Sequence, residues 1–378
     1  MTPILLPTAE FTMSMLLPDP RLYPRVDPDN LLIRLAMALL TEREAGRALT
    51  RAEALKDAMA AQLAEGEDDT LKLALHNAPS QEVYKALWYA AQDVITQAGN
   101  DRHAVIFALP VVLVAGCKGQ ARLPDRLNNV DALNTLLREH GVIAPDAECV
   151  VSGKLVHPDT LANLSFSQLY RYTRNLADAA RGLPVELPGD PVPVKDDGVF
   201  VRYLVGVAMR EANGELPVKL GGSVGAWGMP LMKLLTEQLN TPGVTLFPIP
   251  RVPNWLHEAH RQGQAARQEV NLQVFASNII RKLREHSMPM TAIAAAHDNG
   301  ELRFTISTPG DDKNWAAHAW TLAPLDSVER VAEEFIGLLK ECQVEDIRLI
   351  KQVQADREHG IPFFVTVNDP AASSPGLH

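Results

Sequence analysis

His103-Ala-Val-Ile-Phe-Ala-Leu-Pro-Val-Val-Leu-Val-Ala115 is continuously apolar, rich in β-branched residues, and followed by Gly116. A half-exposed strand would alternate apolar with polar residues. Unbroken hydrophobicity predicts a strand buried on both faces, as in the centre of an α/β sheet. Proline cannot donate to a ladder, so Pro110 predicts a bend, or two short strands in place of one.

Upstream of this stretch the texture is helical. Asp29 and Asn30 offer N-cap oxygens before Leu31, Leu32, Leu35, Leu39 and Leu40, which fall at helical spacing. Helices are expected over Ala52–Leu63, Leu71–His76 and from Ser80 past Ile95, the last stopping at Gly99. Downstream, a helix over Val130–His140 opens at Asn128 or Asn129 and closes at Gly141. A short strand at Glu148–Val151 and a helix from Ser165 to Ala180 follow. Strand alternating with helix favours a layered arrangement.

Leu183–Gly198, LPVELPGDPVPVKDDG, carries the composition of an extended connector. Beyond it, Val199–Met209 reads as a strand, Leu231–Leu239 as a helix, and Val244–Phe247 as a strand ended by Pro248, Pro250 and Pro253. A long helical stretch then runs to His286, with Gly263 as a possible interruption. Asn299-Gly300 supplies the positive φ of a type I′ turn, between Thr291–Ala296 and the alternating Leu302–Ser307. Strands at Ala316–Leu322, Ile347–Val353 and Phe363–Val367 complete the pattern. Between the first two lies a helix opened by the capping box Asp326/Glu329.

The expected fold is mixed α/β to α+β: a helix-rich N-terminal part packed on a mixed sheet, plus a C-terminal α+β unit. The chain divides into a proline-rich arm (1–27), a helix-rich α/β domain (28–185) and a linker (186–198). A second domain (199–368) holds a compact unit at 290–368, and a mobile tail (369–378) ends the chain.

Two domains also suit the 378 residues, which exceed the ~250–300 that one core usually serves. The hydrophobic fraction of 46% and charged fraction of 22% are those of a globular protein. A net charge of -10 disfavours broad attraction to nucleic acid or anionic membranes. Cys117, Cys149 and Cys342 are sparse and form neither a disulfide framework nor a metal knuckle. No run reaches the ~18 apolar residues of a membrane span, and the N-terminus lacks a cationic signal-peptide start. The expectation is a soluble, cytoplasmic protein.

Chemistry has few footholds. Gly221-Gly222-Ser223-Val224-Gly225 fits G-x-S-x-G, in which small residues permit the sharp turn that exposes a nucleophilic serine. Gly228 and Pro230 delay the helix that should follow it directly. Gly221, Gly222, Gly225 and Gly228 are also candidates for cradling a phosphate, although no P-loop ending is present. Cys117 beside Lys118 sits where a strand should end, a place where α/β proteins bind ligands. His257 and His260 would share one helical face, but HExxH is absent and zinc needs a third ligand. Arg281, Lys282 and Arg284, with the cluster Arg171, Tyr172 and Arg174, are candidate nucleic-acid contacts, against which solvated helix faces are the plainer reading.

No metal site and no cofactor are called for. The balance points to a non-enzymatic interaction or structural subunit of a cytoplasmic, bacterial-style assembly. It would contact other proteins, or itself, through the N-terminal helices or the C-terminal sheet edge. The alternatives are an enzyme using loop 221–228, such as a serine hydrolase, and a nucleic-acid-binding accessory protein.

Overall fold

Pro110 does not divide the apolar run: Arg102–Ala115 is one strand of fourteen residues. The structure, a computed structural model, describes residues 30–96, 102–116, 121–124, 126–179, 195–196, 198–211, 215–240, 243–297, 301–309, 315–322, 326 and 328–353. The arm, most of the connector, Cys117, Lys118, the Asn299-Gly300 turn, the strand expected at Phe363–Val367 and the tail lie outside them.

Four helices come first: α1 (Leu31–Thr41), α2 (Ala45–Glu65), α3 (Asp68–His76) and α4 (Gln81–Thr96). Then follow β1 (Arg102–Ala115), β2 (Ala121–Arg122), α5 (Val130–Glu139), β3 (Glu148–Val156), α6 (Pro158–Ala162), α7 (Phe166–Ala179), β4 (Lys195–Asp196) and β5 (Val199–Glu211). The rest is α8 (Gly228–Gln238), β6 (Leu246–Pro250), β7 (Asn254–Trp255), α9 (Leu256–Glu285), β8 (Thr291–His297), β9 (Glu301–Ser307), β10 (Trp315–Thr321), α10 (Val328–Glu341) and β11 (Asp346–Val353). The class is mixed α/β. The described residues group into two units, 30–76 with 86–269 and 77–85 with 270–353, and the division falls inside α9.

In the larger unit the sheet order is β3-β5-β1-β6, with β7 also beside β1, and every pairing is antiparallel. Strands from both sides of 183–198 therefore build one sheet. β1 and β5 pair without a break from Arg102↔Glu211 to Val114↔Val199.

Register explains the prolines. In an antiparallel ladder a residue's N–H and C=O face the same neighbour. The Pro110 carbonyl accepts from the Arg251 amide, so its missing N–H faces the gap between β6 and β7 and costs the β5 ladder nothing. Pro248 and Pro250, expected to end a strand at Phe247, instead lie within β6. Thr245 and Arg251 make the bonds to β1, so the odd-numbered positions of this stretch face β1 and Pro248 and Pro250, at even-numbered ones, turn toward the other side. Proline is tolerated there and blocks further pairing. The opposite edge, β3, carries a bulge between Val151 and Leu155.

Both faces of the sheet are covered, as unbroken hydrophobicity requires. Phe107, Leu109, Phe200 and Leu204 meet Leu133 and Leu137 of α5, Leu231 and Leu235 of α8, and Trp227. Of the two expected caps, Asn128 and Asn129, it is Asn129 that caps α5, its side chain accepting from the Ala132 amide. On this face Phe107 lies over Gly206, where an added Cβ would come within 2.5 Å of the ring.

The other face meets α7 and the first half of α9. Tyr203 is fully buried there and donates to the His260 carbonyl. Gly263 does not interrupt α9: its absent Cβ makes room for the Tyr203 ring, whose oxygen would otherwise lie 2.5 Å away. Helices α1 to α3 pack together, and α2 lies on α7.

The smaller unit holds a mixed sheet, β10-β9-β8-β11, antiparallel except for the parallel pair β8–β11, with α10 carrying the chain from β10 to β11. The hairpin expected around Asn299-Gly300 is present in its strands, with Ala296 opposite Leu302. One face is covered by Leu272, Ala276, Ile280 and Leu283 of α9 with Val331, Phe335 and Leu339 of α10. Phe335 lies 4.3 Å from Phe304, ring to ring.

Gly263→Ala is expected to destabilise the protein by about 1–3 kcal/mol through overpacking against Tyr203. Helix propensity alone predicts a gain of about 1 kcal/mol. Urea unfolding of the two proteins decides the sign.

Candidate functional site

The glycine-rich loop is a built turn. Gly221 and Gly222 have φ of 71° and 89°, conformations that side chains resist. The Ser223 hydroxyl accepts from the Gly225 amide at 3.1 Å, closing a serine turn. Trp227 donates its ring N–H to the Ser223 carbonyl at 3.2 Å and sends its ring into the core.

α8 begins at Gly228, five residues beyond Ser223, and the segment before the loop, 216–220, forms no strand, only a bridge between Ile143 and Val218. The strand-serine-helix elbow is therefore not formed. Among the described residues no histidine or carboxylate is bonded to the Ser223 hydroxyl. The amides of Gly221, Gly225, Trp227 and Gly228 are spent on Pro253 O, Ser223 Oγ and Val224 O. They are not directed outward as a phosphate cradle requires.

Gly116 donates to Thr245 at the end of β1, whereas Gly221 is tied to Pro253, which adjoins β7. Extending the β7 register places Pro253 beside Leu109, seven residues from Gly116 (116 − 109) or about 23 Å of strand. Cys149 is a free thiol pushed up to about 11 by burial, the opposite of an activated nucleophile.

Two of the three basic residues near the end of α9 have structural employment. Arg284 donates to the Cys342 carbonyl just after α10, Arg281 reaches Asn278 Oδ1 at 3.5 Å, and Lys282 is exposed. On α7, Arg174 stacks over Tyr170 at 4.1 Å from the ring centroid. Arg171 and Tyr172 line a cleft against Ile106.

A seam of aromatic and imidazole rings gathers where sequence reading placed no site. His257 sits 4.6 Å from Phe166 and 6.0 Å from Trp88, centroid to centroid. Phe166 and Trp88 meet edge-on at 5.8 Å. Asp68 accepts from the Ser167 amide at 2.8 Å and its hydroxyl at 2.6 Å, joining α3 to the start of α7. Burial works to raise the Asp68 carboxyl, but hydrogen bonds from Ser167 and Ser165 prevail and hold it below the ordinary range.

Burial and the neighbouring His260 press His257 down to about 4, and burial also lowers His260. Glu258, between them, is held by Arg261 and Gln262. Among the described residues no three His, Cys, Asp or Glu side chains are placed to hold a metal ion. The spacing of His257 and His260 was the available signal. Their aromatic neighbours come from α4 and the start of α7, too distant in sequence to be paired with them by inspection.

No family model matches this chain, and neither a curated protein nor a solved structure matches it.

The ring seam fixes an acid response. His257 is neutral in the folded protein down to about pH 4 but takes up a proton near 6.5 once unfolded. Between those values the unfolded state binds more protons, so stability falls as pH falls, by on the order of 1–3 kcal/mol. Urea midpoints from pH 7 to 4.5 should show this decline in the wild type and a flatter profile in His257→Phe. Equal slopes would place the response elsewhere.

Proposed function

We propose that this chain is a non-enzymatic subunit that binds other protein chains in a cytoplasmic, bacterial-style assembly, and that α1 is its docking element. The observation that carries this reading is the mismatch between the composition of α1 and its burial. Nine of the eleven residues in LLIRLAMALLT are apolar, Arg34 and Thr41 being the exceptions. Only Leu32, Ile33 and Ala36 are buried. Leu31, Met37 and Leu40 are 45–48% exposed, and Leu49 at the start of α2 is 69% exposed.

An amphipathic surface helix keeps polar residues on its outer side, and a helix apolar all round is normally enclosed. Met37 and Leu40, three positions apart, share one exposed side of α1, and exposed apolar surface of this kind marks a place for a partner. The Gly221–Gly228 loop, which sequence alone marked for catalysis, is occupied with its own hydrogen bonds, which adds weight to a binding role over a hydrolytic one. Among the described residues no helix is long and apolar enough to cross a membrane, consistent with a protein partner for this surface.

The tagged full chain, isolated from its native host and sized by chromatography with light scattering, should travel in a defined assembly. Met37→Glu/Leu40→Glu should leave the circular dichroism unchanged, since exposed substitutions typically cost under about 0.5 kcal/mol, and should run as a monomer. A wild-type chain that is strictly monomeric and partnerless, or a double variant that assembles equally well, contradicts the proposal.

A further inference from the structure

The outer stripe of α7 forms one wall of a cleft of about 490 Å³, within the range of small-ligand sites. Its apolar lining is Ile106 from β1 with Leu164 and Leu169. Ile106 and Leu169 are buried and Leu164 half-buried, so the lining has firm backing. Gln168, Arg171 and Asn175, at helical spacing, supply the polar groups.

The Arg171 Nε donates to the Ser167 carbonyl at 3.3 Å, which fixes the root of the guanidinium. Among the described residues, nothing pairs with its terminal nitrogens. Gln168 uses its carbonyl oxygen to accept from the Ser165 amide at 2.9 Å, so its NH₂ group is turned to donation elsewhere. No carboxylate is among the described lining residues. One cation and one amide donor therefore stand beside an apolar lining, with no like-charged group to repel an anion.

We propose that this cleft binds a small amphipathic monoanion, a carboxylate with an unbranched apolar body. The carboxylate meets the Arg171 fork, which suits planar two-oxygen anions, while the apolar body lies against Ile106, Leu164 and Leu169. A single cation matches a single charge, and the apolar lining favours a hydrocarbon body over a sugar or a nucleotide. This site is independent of the docking role assigned to α1, and either assignment can fail without the other.

Octanoate is the probe, titrated against the full chain by saturation-transfer NMR beside octylammonium and octanol. Octanoate should bind saturably and more tightly than either. Arg171→Gln should weaken it about ten- to hundredfold, the usual scale for a lost charge-assisted hydrogen bond, and should leave octanol binding unchanged. Leu164→Trp should fill the cleft and abolish both. Arg171 is exposed, so thermal melts matching the wild type are expected for its variant and certify its fold. The proposal is overturned if octanoate does not bind, if Arg171→Gln binds it equally, if octylammonium matches it, or if Leu164→Trp leaves binding intact.

Discussion

The antiparallel ladder between β1 and β5 is the constraint on which the larger unit depends. It runs from Arg102↔Glu211 to Val114↔Val199, and β3, β6 and β7 attach to it from either side. Because both of its faces are buried, each residue along it commits a neighbour. Phe107 requires Gly206, and Tyr203 requires Gly263 on α9. A shift of one residue would carry every apolar group to the opposite face and break both fits. Helices α5 and α8 on one side, and α7 and α9 on the other, take their places from this register.

The sheet controls its edges, whereas α1 keeps large apolar side chains exposed among the described residues. Pro248 and Pro250 deny β6 the donors that another strand would use, and a bulge disrupts β3. Against this background the exposed Leu31, Met37 and Leu40 of α1 stand out among the described residues. The ring seam of His257, Phe166 and Trp88 is a different feature. It gives the packing of α4, α7 and α9 a titratable element within the aromatic cluster.

Local signals were legible in the sequence wherever local physics decides the outcome. Asn129 as an N-cap, the hairpin strands about Asn299-Gly300 and the buried run at His103–Ala115 all follow from side-chain geometry or periodicity. Prolines 110, 248 and 250 were misjudged because their cost depends on which way a missing N–H points, and that is set by strand neighbours. Gly263 was read as a break because the Tyr203 ring it accommodates is sixty residues away. The G-x-S-x-G match had the right letters, yet its meaning turns on where α8 begins and on Trp227 being drawn into the core. Arg171 and Tyr172 were visible as a basic-aromatic pair, but the cleft exists only once Ile106 lies beneath them.

Native-state hydrogen exchange tests most directly whether the β1–β5 ladder is the spine of this unit. Amides of Val105–Leu113 and Phe200–Ala208 should exchange only through global unfolding, with one shared opening free energy, while those of α1 open at lower cost. Slower exchange in α1 than in the ladder, or opening of β1 separately from β5, would contradict the account.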